Sequence, residues 1–129
     1  MPTNSSISDM LKAFFGTCTA DCRGIFLNTL DGAELLRHCR PGAPQAEDSA
    51  LACSLIPSFM VSADQSLRLN LGAVKHSVSW VPSGIVLQSL VERVVVTFVM
   101  DESCNLGIIE EQLGVLQTVL RPVLADMDI

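Results

Sequence analysis

RVVVTFVM, residues 93 to 100, carries apolar side chains on both alternations of an extended chain. Successive residues of a strand point to opposite faces, so a run apolar on both sides belongs to a strand covered on both sides. It predicts the middle of a sheet, and the rest of the chain can be placed around it. Upstream lie GIVLQSL (84 to 90) and AVKHSVSWV (73 to 81), the latter a strand from about residue 74. In it Val74, His76, Val78 and Trp80 share one side, and Lys75, Ser77, Ser79 and Val81 the other. The turns between the three runs are short, with Pro82, Ser83 and Gly84 in one, which predicts an antiparallel meander.

Further upstream, GIFLNT (24 to 29) and AELLRHC (33 to 39) flank Leu30, Asp31 and Gly32. The Asp-Gly pair is read as supplying the positive φ angles of a tight hairpin turn. Sequential strands are usually spatial neighbours. With 93 to 100 beside this hairpin, 84 to 90 comes next and 73 to 81 lies last, as an open edge whose unpaired N–H and C=O groups must be hidden or used.

Three helices complete the order. Ile7, Met10, Leu11, Phe14 and Phe15 recur at helical spacing after a cap at Ser6 or Ser8, and Gly16 stops the helix. From Gln45 to about Gln65, Leu51, Leu55 and Phe59 form one stripe, with Ile56, Met60 and Ala63 beside it. Pro57 predicts a kink there or a start one turn later. Ile109, Leu113, Leu116, Leu120, Val123 and Met127 mark the third helix, with Pro122 a late irregularity. The expectation is one α+β domain over residues 1–129, α-β-β-α-β-β-β-α. Its five-stranded antiparallel sheet runs in order 2-1-5-4-3, with helices one and three on one face and helix two on the other.

Of the 129 residues 49% are hydrophobic and 17% charged, enough apolar material for a core. The net charge is −6 and the eight Lys and Arg are scattered singly, which argues against nucleic acid. The apolar region from Gly84 to Met100 is interrupted by Gln88, Glu92 and Arg93, and no run approaches the ~20 residues that span a bilayer. MPTNSSISD lacks the pattern of a secretory signal and has Pro2 where myristoylation needs Gly; ADMDI offers no prenylation Cys. Cys18, Cys22, Cys39, Cys53 and Cys104 are an odd set without a secretory signal, which favours free thiols.

The sites that sequence can assemble are weak. Cys18, Cys22, His38 and Cys39 could offer four zinc ligands, but the spacing is no CxxC knuckle and Cys is commonly a small core residue. His38 and His76 sit on strand candidates with no motif around them, so surface or structural roles are the better reading. Asp101, Glu102, Glu110 and Glu111 flank the start of the last helix, where negative charge complements the helix N-terminus. Neither a P-loop nor a GxGxxG is present. Two amphiphilic elements remain: the second helix, whose wide apolar stripe is either internal or partner-facing, and Trp80, either a core residue or an interface anchor.

The order of elements, with NTLDGAELL (28 to 36), SFMVSADQSLRLNLG (58 to 72) and VERVVVTFVMDESCNLGII (91 to 109), resembles the roadblock (dynein light chain) superfamily, roadblock/profilin-like in fold. Within it the chain is most similar to the Ragulator subunits that scaffold mitogen-activated protein (MAP) kinase signalling. Pro57, Pro122 and GTCTADCRG (16 to 24) depart from that pattern. The resemblance implies no catalytic residue, cofactor or metal. It implies dimerisation with a second roadblock-domain protein, or with itself when alone, through the second helix and third strand: Leu55, Phe59, Ala63, His76, Ser77, Val78, Ser79 and Trp80 at the interface or in the core directly beneath. The implied setting is the cytoplasmic face of late endosomes and lysosomes, held by a lipidated subunit. The implied partners there are other Ragulator subunits, Rag GTPases and MAP kinase pathway kinases, in support of TOR signalling. A roadblock-type regulator bound directly to a small GTPase or a dynein motor is the alternative.

Overall fold

A computed structural model describes residues 4–18 and 21–127; two residues of GTCTADCRG and both extreme termini lie outside the described residues. The elements are α1 (Asn4–Phe15), β1 (Cys22–Thr29), β2 (Glu34–Cys39), α2 (Gln45–Ser54), α3 (Ile56–Arg68), β3 (Ser77–Val81), β4 (Gly84–Val91), β5 (Val94–Met100) and α4 (Leu106–Ala125).

Every residue of β5 is buried, as its two apolar alternations require. It pairs antiparallel with β1 on one side and β4 on the other, giving the expected sheet order β2-β1-β5-β4-β3. On one face Ile25, Leu27, Leu87, Val96 and Phe98 pack with Ile7 and Leu11 of α1 and with Ile109, Leu116 and Leu120 of α4. On the other, Phe26 and Val99 meet Ala52 of α2. That second face is more polar: buried Gln88 donates from Nε2 to the Ala52 carbonyl at 3.0 Å and to Thr97 Oγ1 at 3.1 Å.

Several local expectations are corrected. In the first hairpin only Gly32 has a positive φ (+99°), not Asp31, whose carboxylate is instead bonded by the Thr29 hydroxyl. Helix α1 begins at Asn4, ahead of both proposed caps, Ser6 and Ser8. The second helix is two helices broken at Leu55, and α3 runs past Gln65 to Arg68. Pro57 sits in the first turn of α3, where an N–H would lack an intrahelical acceptor in any case. The buried stripe nevertheless runs through the break with one helical period, Asp48, Ala52, Ile56 and Phe59 at spacings of four, four and three, and Leu51 and Leu55 lie beside it, half-buried.

Strand β3 starts at Ser77, so Val74, Lys75 and His76 are not in it. Helix α4 is capped by Asn105, whose side chain accepts from the Ile108 N–H at 3.3 Å, and its first turn holds no acid. Asp101 instead takes Arg40 in a two-pronged ion pair at 2.8 and 3.1 Å. Pro122 does not end α4, and Leu124 rather than Val123 continues its buried stripe.

Candidate functional site

β3 is the last strand of the sheet and is paired on one side only, Ser77↔Gln88 through Val81↔Gly84. Its hairpin with β4 is closed at Gly84, where a Cβ would stand 2.2 Å from the Met100 carbonyl oxygen, so only glycine fits. The β3 side chains alternate as read from sequence. Val78 packs into the core beneath α1 and α4. Ser77 and Ser79 face the other way, into a groove of about 170 Å³ between β3 and α3. Leu55, Ser58 and Ser62 form its helical wall, with Phe59 and Gln88 also lining it.

Leu55 accepts from the Phe59 N–H at 3.1 Å, so α3 carries the period of α2 on across the break, with Phe59 buried at 2% exposure and Ser58 at the surface. At its far end α3 closes on a turn: the Leu71 N–H bonds the Ser66 carbonyl at 2.9 Å, the Ser66 hydroxyl bonds the Gly72 carbonyl at 2.7 Å, and Asn70 and Gly72 take positive φ. This turn holds Leu67, Leu69 and Leu71 out in solvent. The segment between this turn and β3 is tied to α4 by a relay in which Gln117 Nε2 donates to the Ser89 hydroxyl at 2.6 Å and that hydroxyl donates to the Lys75 carbonyl at 2.8 Å.

The residues singled out from sequence fall in four places. Leu55, Ser77, Val78 and Ser79 line the groove with Phe59, which lies in the core directly beneath. Ala63 is half-buried on α3. His76 precedes β3, its Nε2 3.9 Å from a Glu110 carboxylate oxygen across to α4. Trp80 closes the edge at 69% exposure, a large aromatic in solvent on a strand with no outer neighbour. Sequence reading passed over Ser58 and Ser62; their spacing of four, in step with Ser66, was the available signal.

The remaining chemistry resolves into structure. Cys18 and Cys22 share a hydrogen bond that lowers the Cys18 pKa and, together with burial, raises that of Cys22. The His38 ring stands edge-on to Phe15 at 4.8 Å. Among the described residues no three His, Cys, Asp or Glu side chains gather as metal ligands, and no helix is long and apolar enough to cross a membrane. The arrangement offers backbone pairing along β3, a groove beside it and apolar side chains around it, the parts of a protein–protein contact.

Comparison with known proteins gives the same direction. A family model described as "Mitogen-activated protein kinase kinase 1 interacting" matches residues 6–128. The Ragulator complex protein LAMTOR3 homolog of Drosophila melanogaster is 31% identical over 104 residues, 78% of this chain and 82% of that protein. Among solved structures, a Roadblock/LC7 domain from Streptomyces avermitilis superposes with a TM-score of 0.72 at 17% identity, covering 91% of this chain and 97% of that one. Myxococcus xanthus MglB superposes with a TM-score of 0.73 at 12% identity, covering 98% and 90%. At these identities the structural likeness speaks for the roadblock fold alone.

Proposed function

Since the chain belongs to the mitogen-activated protein kinase kinase 1 interacting family, we propose that it is a non-catalytic scaffold subunit of a Ragulator-type assembly, built to pair with a second roadblock-domain protein. The observation that carries this reading is the open β3 edge with the α3 groove and Trp80 beside it. A partner's equivalent strand laid against β3 extends two five-stranded sheets into one, the β-augmentation mode in which main-chain bonds give affinity and neighbouring pockets give specificity. The pair then forms a platform that gathers MAP kinase pathway kinases and supports Rag GTPase and TOR signalling on late endosomes and lysosomes. In this reading a lipidated subunit supplies the attachment to the membrane.

The test is the mass and composition of the complex purified from the protein's own cells. We expect one copy of this chain with one different roadblock-domain chain in the smallest stable unit, and separation of the two by Ser79→Arg at the edge. A smallest unit without a second roadblock chain, or one indifferent to Ser79→Arg, would remove the reading.

A further inference from the structure

The α1–β1 connection begins and ends on a cysteine, and the fold pins it on both sides. Past α1 the Thr17 and Cys18 N–H groups bond the Phe14 and Phe15 carbonyls at 2.9 and 3.1 Å, and the Thr17 carbonyl accepts from Gln112 Nε2 of α4 at 3.1 Å. Ahead of β1 the Asp21 carbonyl accepts from the Asp101 N–H at 2.8 Å, and the Asp21 carboxylate from the Ser103 hydroxyl at 3.1 Å. Held this way, Cys18 packs against the core cluster to which Cys22 belongs, and the two thiols share a hydrogen bond. Cys39 lies on the opposite face of the sheet with Phe26 and Val99, and the Cys53 thiol, out on α2, is turned to the Gly32 carbonyl at 3.4 Å.

The two thiols differ in what they can do. Cys18 is half-buried and within reach of solvent; the hydrogen bond it accepts from Cys22 favours its thiolate, the form that attacks an oxidant. Cys22 is 1% exposed, and donating to Cys18, together with burial, keeps it a protonated thiol. An accessible thiolate beside a second thiol is the arrangement of a redox-sensing cysteine and its resolving partner. We propose that Cys18 and Cys22 form such a pair: a peroxide oxidises Cys18, and Cys22 resolves it to a disulfide that staples the end of α1 to the start of β1. In the first step the Cys18 sulfur bonds one oxygen of hydrogen peroxide, the O–O bond breaks, and the sulfur becomes a sulfenic acid as the peroxide is reduced to hydroxide. The Cys18 negative charge is then gone, and with it the chief cause that held the proton on Cys22. Cys22 gives that proton to hydroxide, and its sulfur displaces the sulfenic oxygen, which leaves as hydroxide and takes up the proton Cys18 had released. Two thiols and one peroxide thus give one disulfide and two waters. β1 is separated from β3 by β5 and β4, so the site stands apart from the pairing edge proposed above.

Lys12 and Arg23 place both cysteines in one tryptic peptide, residues 13–23. The reduced full chain is treated with equimolar hydrogen peroxide at neutral pH, alkylated with N-ethylmaleimide, digested and weighed. That peptide should lose two hydrogens and take up no label, while Cys53 stays fully alkylated, and a reductant should restore both thiols. Accessibility alone would favour the opposite order, because Cys53 is exposed and Cys18 is not. Cys22→Ser should leave Cys18 as a sulfenic acid that dimedone labels; Cys22→Ala serves the same purpose if the serine hydroxyl disturbs the core. Oxidation of Cys53 ahead of Cys18, a disulfide to Cys104, or conversion of wild-type Cys18 to sulfinic acid with no disulfide would overturn the proposal.

Discussion

Among the described residues Arg23 and Asp48 are the two buried charges. Their side chains meet 3.1 Å apart beneath α2, Arg23 also donates to the Ser83 carbonyl, and Asp101 lies 3.8 Å away with Arg40 on its other side. One cluster thus ties β1, α2, the end of β5 and the β3–β4 turn. Removing one partner leaves the other buried and uncompensated, so Arg23→Met should cost about 3–5 kcal/mol in urea unfolding, and Arg23→Met with Asp48→Leu should restore most of it. Burial outweighs the attraction of Arg23 and holds the Asp48 pKa above its ordinary 3.8. A carboxyl with a raised pKa binds its proton more readily in the folded state. Its contribution is therefore full below about 3.8 and is lost as pH rises through the raised value. Wild type should accordingly lose stability relative to Asp48→Asn as pH climbs through that interval. None of this was legible in the sequence. Arg23 stands between Cys22 and Gly24 as one of eight scattered cations, and the carboxylate that neutralises it lies 25 residues on, across a layer of the fold.

Elements differ in how far their boundaries can be read, and proline shows why. Helical spacing allows two stripes that share Phe59, Leu51–Leu55–Phe59 and Asp48–Ala52–Ile56–Phe59; sequence reading took the more apolar one, and the fold buries the other because Asp48 finds Arg23 beneath it. The strands offer no such choice: β4 and β5 lie where their apolar runs put them. Position within the helix separates the two helical prolines. Pro57, in the first turn of α3, replaces an N–H that had no intrahelical acceptor, so Pro57→Ala should shift stability by less than about 1 kcal/mol. Pro122 lies in the last turn of α4, where its missing N–H removes an intrahelical hydrogen bond, so Pro122→Ala should stabilise the fold by up to ~3 kcal/mol. Thermal unfolding of the two variants side by side checks both signs.

For the whole molecule, RVVVTFVM was sufficient to order the sheet, because a strand buried on both faces can only be central, and the meander then leaves β3 outermost. The side of α3 that meets that edge could not be read, since two stripes with helical spacing share Phe59 and packing across the layers chooses between them. The difference decides how the edge is tested. Phe59 has the spacing of a surface anchor, yet at 2% exposure it belongs to the monomer. Phe59→Asp replaces a buried ring by a carboxylate. Loss of the ring alone costs about 3–5 kcal/mol and burying charge adds more, so this variant should unfold the chain and say nothing about partners. Trp80 is the informative position. At 69% exposure its truncation removes little from the isolated fold, within about 0.5 kcal/mol. An aromatic at the centre of a contact is worth ~2–4 kcal/mol to binding, so Trp80→Ala should keep the circular dichroism and melting temperature of wild type while weakening association with the roadblock partner by that amount. Titration calorimetry on the purified pair measures it. Unchanged affinity in a fully folded Trp80→Ala chain would move the contact away from this end of β3.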